Sequence, residues 1–178
     1  NLKYCEKFEL SDCNLVENTK CGIAILSKYK ISNTEKNIFT NPMLKKVTSS
    51  GNVYYTFDKG YMSCKIEIND KIINVFTHHG FPFRRFNSTS EENKKIFNEF
   101  NEYIKSINNR IITGDFNEEN PKNFVEELNS LNELNDGITT VDGMRFDKIY
   151  VDYSFDVRDF KMIKSFSDHY LLLATLEI

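Results

Sequence analysis

The chain has 178 residues, 40% hydrophobic and 28% charged, which fits a globular protein with room for one sizeable core. A formal net charge of -3 and a pI of about 5.7 exclude nucleic-acid binding driven by bulk charge and leave only a local basic patch for that role. No apolar run reaches the length of a membrane span, and the polar start at Asn1 lacks the apolar segment of a signal peptide.

In chain order, Leu2 to Phe8 reads as a weakly signalled strand and Asp12 to Lys20 as a polar loop. Gly22-Ile23-Ala24-Ile25-Leu26-Ser27 is a compact apolar run, expected to be a buried strand. Ser32 to Asn41 is polar and expected to be loop. Leu44 to Thr48 and Val53 to Phe57 flank Ser49-Ser50-Gly51-Asn52 as a hairpin. Met62, Cys64, Ile66 and Ile68 alternate along a further strand, which turns at Asn69-Asp70 into Ile72 to Phe76 and then Thr77-His78-His79-Gly80. Ser88 and Glu91 have capping-box spacing and predict a helix carrying Ile96, Phe97, Phe100, Tyr103, Ile104 and Ile107 on one face, ending near Asn108-Asn109. Ile111 to Thr113 is a short strand. Asn120-Pro121 predicts the start of a second, shorter helix with Phe124, Leu128 and Leu131 on one face. Phe146 to Val151, Phe155 to Ile163 and Tyr170 to Ile178 complete the strands. Many paired strands and few helices suggest two sheets packed face to face with helices outside, in one domain spanning 1–178.

The four cysteines contain no CxxC pair, so a zinc site is not indicated, and reduced structural thiols are expected. Asn87-Ser88-Thr89 fits a glycosylation sequon, a cheap match in an Asn-rich chain. Arg84-Arg85 follows Pro82, where it could meet a phosphate backbone; on the two residues alone a solvated loop face is the stronger reading.

The chemistry concentrates at strand ends. In Arg110-Ile111-Ile112-Thr113-Gly114-Asp115-Phe116-Asn117 a buried run stops at a glycine. Asp115 and Asn117 follow two apart, so they converge if the strand continues, or form an Asx-turn if it does not. His79 closes a second strand, Asp147 lies in a third, and Asp168-His169 open a fourth. Gathered on one rim, two imidazoles and three carboxylates suit metal-assisted hydrolysis: carboxylates hold the ion, and an imidazole or carboxylate takes a proton from water.

Five segments in order resemble the endonuclease/exonuclease/phosphatase superfamily, the DNase I-like phosphoesterases. They are Gly22 to Ser27, His79 with Pro82 three residues on, Gly114-Asp115-Phe116-Asn117, Asp147 within Arg145 to Ile149, and Ser167-Asp168-His169. The resemblance implies a four-layer α/β sandwich of two mostly antiparallel sheets with helices outside. It also implies Mg²⁺-dependent phosphoester hydrolysis, with Mn²⁺ as the alternative ion. By position, His169 resembles the catalytic histidine and Asp147 the carboxylate that orients it. Asp115 resembles the residue that activates water, Asn117 the phosphate-binding amide, and Asp168 a metal ligand. His79 resembles the second histidine that contacts the phosphate; His78 is its rival, and the spacing to Pro82 favours His79.

One feature departs from the family. Its usual first strand with an Asn, and its Gln-Glu strand end with the principal metal ligand, have no counterpart ahead of Gly22. An N-terminally incomplete domain is therefore expected. The resemblance implies a nuclease or other phosphodiesterase acting on DNA or RNA. The alternatives are a phosphatase, a phospholipid or inositol-phosphate phosphodiesterase, or a non-catalytic binding module on this fold. A monomer in the cytoplasm is expected.

Overall fold

The computed structural model of the chain describes residues 1–13 and 17–178. In chain order the strands are β1 (Tyr4–Asp12), β2 (Lys20–Ser27), β3 (Ile31–Ile38), β4 (Lys45–Val47), β5 (Val53–Tyr55), β6 (Gly60–Ile68) and β7 (Lys71–His79). They continue as β8 (Arg110–Asp115), β9 (Asn132–Glu133), β10 (Asp147–Val151), β11 (Asp156–Ile163) and β12 (Leu171–Glu177). The α-helix α1 (Lys94–Lys105) lies between β7 and β8.

A six-stranded sheet in the order β3-β6-β7-β8-β10-β9 forms the centre. Its pairs are antiparallel except β7 with β8, which run parallel. Side chains alternate between its two faces, as the strand period requires. Tyr61, Phe76, Ile112 and Tyr150 point to one face, where Ile96, Phe97, Phe100 and Ile104 of α1 cover them. Met62, Cys64, Ile73, Ile149 and Val151 point to the other. There the β1–β2 ribbon packs through Phe8, Ile23 and Ile25, and the β11–β12 ribbon through Val157, Phe160, Leu172, Ala174 and Leu176. The second layer is thus two ribbons, each paired within itself. A cleft of about 460 Å³ between Ile23 of β2 and Leu171 and Leu172 of β12 is floored by Thr77, Thr113 and Ile149. The architecture is the DNase I-like α/β sandwich, with α1 on the outside of the central sheet.

Four local expectations need correction. Ser32 to Asn41 is not simply loop: it contributes most of β3, an edge strand with a register shift between Ser32 and Glu35. Backbone pairing to β6 holds it, and an edge strand needs few apolar residues, so hydropathy did not reveal it. The capping box sits one residue later than Ser88 and Glu91. Glu92 accepts the Thr89 amide at 2.9 Å, and Thr89 Oγ1 accepts the Glu92 amide at 3.2 Å. This box closes a turn ahead of α1, which begins at Lys94 and ends at Lys105 rather than near Asn109. The second helix is two 3-10 turns, Pro121–Asn123 and Glu126–Ser130, separated by the extended backbone of β-branched Val125. The expected loop from Asp12 to Lys20 lies partly outside the described residues; its two ends face each other across the ribbon.

Among the described residues no disulfide joins the cysteines, and Cys64 is buried in the core. No helix among them is long and apolar enough to cross a membrane. The end of β8 remote from Asp115 is anchored by buried Arg110. Its guanidinium donates to Glu127 at 2.7 Å and to Asp152 at 2.8 Å. Asp152 also accepts the Arg110 amide, tying β8 to the end of β10.

Candidate active site

The ladder builds the site. Gly60 of β6 stands opposite His79 of β7, His79 beside Asp115 of β8, and Asp115 opposite Asp147 of β10. His79, Asp115 and Asp147 therefore form one row across the sheet, on the face that carries the ribbons. Strand parity sends His78 the other way. It is buried against Phe116 and Phe100, with ring centroids 4.0 and 5.0 Å away, and burial pushes its pKa down to about 4. Gly114 makes room for that ring, since a Cβ there would lie 2.4 Å from the His78 carbonyl oxygen and 2.6 Å from Nδ1.

Asp115 and Asn117 converge, though not by strand alternation. Asn117 adopts the left-handed conformation (φ 50°), and its amide donates to Asp115 Oδ1 at 2.8 Å in an Asx-turn. Its Nδ2 donates to Asp115 Oδ2 and to the Gly80 carbonyl, each at 3.0 Å. Both amide hydrogens are therefore engaged, and in this state Asn117 holds Asp115 in place. Burial raises the pKa of Asp115; the Asn117 amide opposes the shift and the charge of Asp147 adds to it.

The segment around Thr140 brings His169 to this row. Thr140 forms an isolated bridge with His169, the Tyr170 amide donates to the Thr139 carbonyl at 2.8 Å, and the Val141 amide to the Asp168 carbonyl at 2.9 Å. His169 Nδ1 then lies 2.8 Å from Asp147 Oδ2. Burial alone would lower the His169 pKa, but the hydrogen bond and charge of Asp147 outweigh it, and the net shift is upward. Nδ1–H donating to the carboxylate leaves Nε2 for water or substrate.

These groups surround a cavity of about 390 Å³. Its lining includes His79, Asp115, Asn117, Asp168 and His169, together with Lys59, Arg85 and Asp142. Sequence reasoning missed Lys59. The signal was there: counting the hairpin register back from Asn69-Asp70 places Gly60 opposite His79, and so Lys59 at the rim. Of the pair that could meet a phosphate or solvent, Arg85 faces the cavity, while Arg84 turns to Met144 Sδ at 3.5 Å. His79 Nε2 is 3.5 Å from Asp115 Oδ2. Burial, then the Lys59 ammonium, push its pKa down to about 3, so this imidazole is neutral at physiological pH.

Among the described residues no three His, Cys, Asp or Glu side chains stand close enough to share a metal ion. Asp168, expected as a metal ligand, is exposed on the cavity wall and accepts Ser167 Oγ at 3.1 Å. By itself it does not make a metal cradle.

No protein-family model matches the sequence, and no curated protein does. Solved structures do match. An endonuclease/exonuclease/phosphatase family protein from Leptotrichia buccalis superposes with a TM-score of 0.66 at 16% identity, over 98% of this chain and 72% of its own. The human Nocturnin catalytic domain, determined with a bound sulfate anion, gives a TM-score of 0.68 at 16% identity over the same shares of each chain. Sphingomyelinase C from Streptomyces griseocarneus gives 0.56 at 12% identity, over 90% of this chain and 70% of its own.

Proposed function

We infer, from a chain with the fold of the endonuclease/exonuclease/phosphatase superfamily and a carboxylate–imidazole pair set beside its cavity, that the protein hydrolyses phosphoester bonds. The observation that carries the reading is the 2.8 Å contact between His169 and Asp147, next to Asp115 in the same row. A neutral His169, held by Asp147, takes a proton from water through Nε2. Asp115, fixed by Asn117, accepts the water's other hydrogen and aims its oxygen at phosphorus. The new P–O bond forms as the ester P–O bond breaks, the departing oxygen takes a proton from solvent water, and the His169 imidazolium returns its proton to solvent. Neutral His79 offers a ring N–H to a phosphate oxygen without delivering a proton as imidazolium.

The reading includes a divalent cation, Mg²⁺ first and Mn²⁺ second, with Asp168 as one ligand. A calorimetric titration with each ion tests that part separately from turnover.

Within phosphoesters we assign phosphodiesters of nucleic acid as the first substrate. The β4–β5 hairpin favours a second reading, a phospholipid headgroup. It exposes Val47, Val53, Tyr54 and Tyr55 beside Lys45 and Lys46, and aromatic and basic side chains suit a lipid–water interface. Plasmid, single-stranded DNA and phospholipid vesicles assayed side by side with Mg²⁺ separate the two. Turnover of vesicles alone removes the nuclease reading.

A further inference from the structure

Lys59 immediately precedes β6 and so lies at the rim of the row that holds His79, Asp115 and Asp147. Its Nζ is 2.9 Å from Nε2 and 3.2 Å from Nδ1 of His79. The two ring nitrogens point in diverging directions, so an ammonium nearly equidistant from both is well aligned with neither. Among the described residues no carboxylate stands within ion-pair distance of Lys59 or of Arg85, although Asp115 is near enough to favour the charged Lys59. Both side chains face one cavity. The lining of that cavity holds two cations, Lys59 and Arg85, with neutral His79, and two carboxylates, Asp142 and Asp168, near His169; the charge of Arg85 also reaches Asp142. A half-buried ammonium without a paired anion is costly, and an arriving anion relieves that cost.

We propose that Lys59 and Arg85 form a subsite for a terminal phosphate group of the substrate, in the cavity that His169 also lines. Two cations match a phosphate monoester, which is dianionic at neutral pH, better than a monoanionic diester. Guanidinium and ammonium donors suit its nonbridging oxygens. The substrate class narrows to phosphoesters that present a phosphate terminus, either as the reacting group or flanking it. The inference rests on the phosphoesterase reading, but its test does not depend on turnover.

Calorimetry with phenyl phosphate and dimethyl phosphate, on the intact chain, is the experiment. Phenyl phosphate is expected to bind about tenfold more tightly or better, the difference one additional charge-assisted contact gives. Lys59→Met and Arg85→Met should each remove most of that preference, while Lys59→Arg should retain it. Arg85 is exposed, so its variant keeps the test valid if Lys59→Met fails to fold. Equal affinity for the two ligands, or an undiminished preference in Arg85→Met, overturns the subsite. Selective binding without hydrolysis of any phosphoester would leave the subsite standing and remove the catalytic reading. Hydrolysis of phenyl phosphate makes the bound group the reacting one. Faster cleavage of a 5′-phosphorylated than a 5′-hydroxyl oligonucleotide makes it a flanking one. Either result supports the subsite.

Discussion

Nδ1 of His169 lies 2.8 Å from Oδ2 of Asp147, across 22 positions of sequence, and the segment at Thr139 and Thr140 holds both ends of that contact. The Asp147 amide donates to Thr139 Oγ1 at 3.0 Å, while Thr140 bridges to His169. The imidazole is thus fixed in orientation by the carboxylate and in position by the backbone. Asp147→Asn should keep the fold and lower turnover by roughly two to four decades, the range for mispositioned acid–base machinery. His169→Ala should cost at least as much, and the double variant little more than the worse single one, because the pair acts as a unit. Losses that simply add would show that the two residues work independently.

His78 should make the fold sensitive to acid. Burial pushes its pKa down to about 4, whereas in the unfolded chain it titrates near its ordinary value of about 6.5. Below that value the unfolded state binds the proton and the native state does not. Stability therefore falls as pH drops from about 6.5 to about 4, by about 3 kcal/mol from this group. Urea unfolding of wild type and His78→Asn across this range checks it. The variant should show the shallower pH dependence, and identical slopes would contradict the assignment.

Lys59 should limit phosphate binding at alkaline pH. Burial brings its pKa down to about 8, with Asp115 and Cys21 opposing the shift and Arg85 adding to it. His79 beside it is already neutral, and Cys21 is raised and remains a thiol. Phosphate affinity should hold near pH 7 and decline as pH rises through about 8. Lys59→Arg should carry the affinity to higher pH, because a guanidinium keeps its charge there. Parallel decline in both proteins would point to a different group.

Arg110 should be the costliest single truncation outside the site. Its guanidinium is buried between Glu127 and Asp152. Arg110→Met leaves two carboxylates without their partner and should destabilise the fold by about 3–5 kcal/mol. Denaturant unfolding measures this directly. A loss below about 1 kcal/mol would place the pair among ordinary surface ion pairs.

Much of this arrangement was legible in the residues, for identifiable reasons. Alternation along Met62 to Ile68 and the turn at Asn69-Asp70 define β6 and β7, and their register runs unbroken to His79. The choice between His78 and His79 follows from strand parity, since Thr77, His79 and Thr113, Asp115 share one face. β3 was hidden because its edge position rests on backbone pairing rather than apolar side chains. Asn117 reaches the cavity through a left-handed Asx-turn, the second of the two readings its spacing left open. Lys59 was overlooked because a lysine before a strand is ordinary until the register is followed to its partner. The division of the second layer into two ribbons concerns which strands pair across the structure, and local pattern carries little information on that.

The most direct test is hydrolysis of bis(p-nitrophenyl) phosphate with Mg²⁺ by wild type and His169→Ala, with circular dichroism confirming that both are folded. Measurable turnover by wild type, reduced about 100-fold or more in the variant, is the predicted result. Equal rates in the two proteins, or no hydrolysis by wild type of this or any other phosphoester offered, would contradict the assignment of His169 and Asp147 to phosphoester hydrolysis.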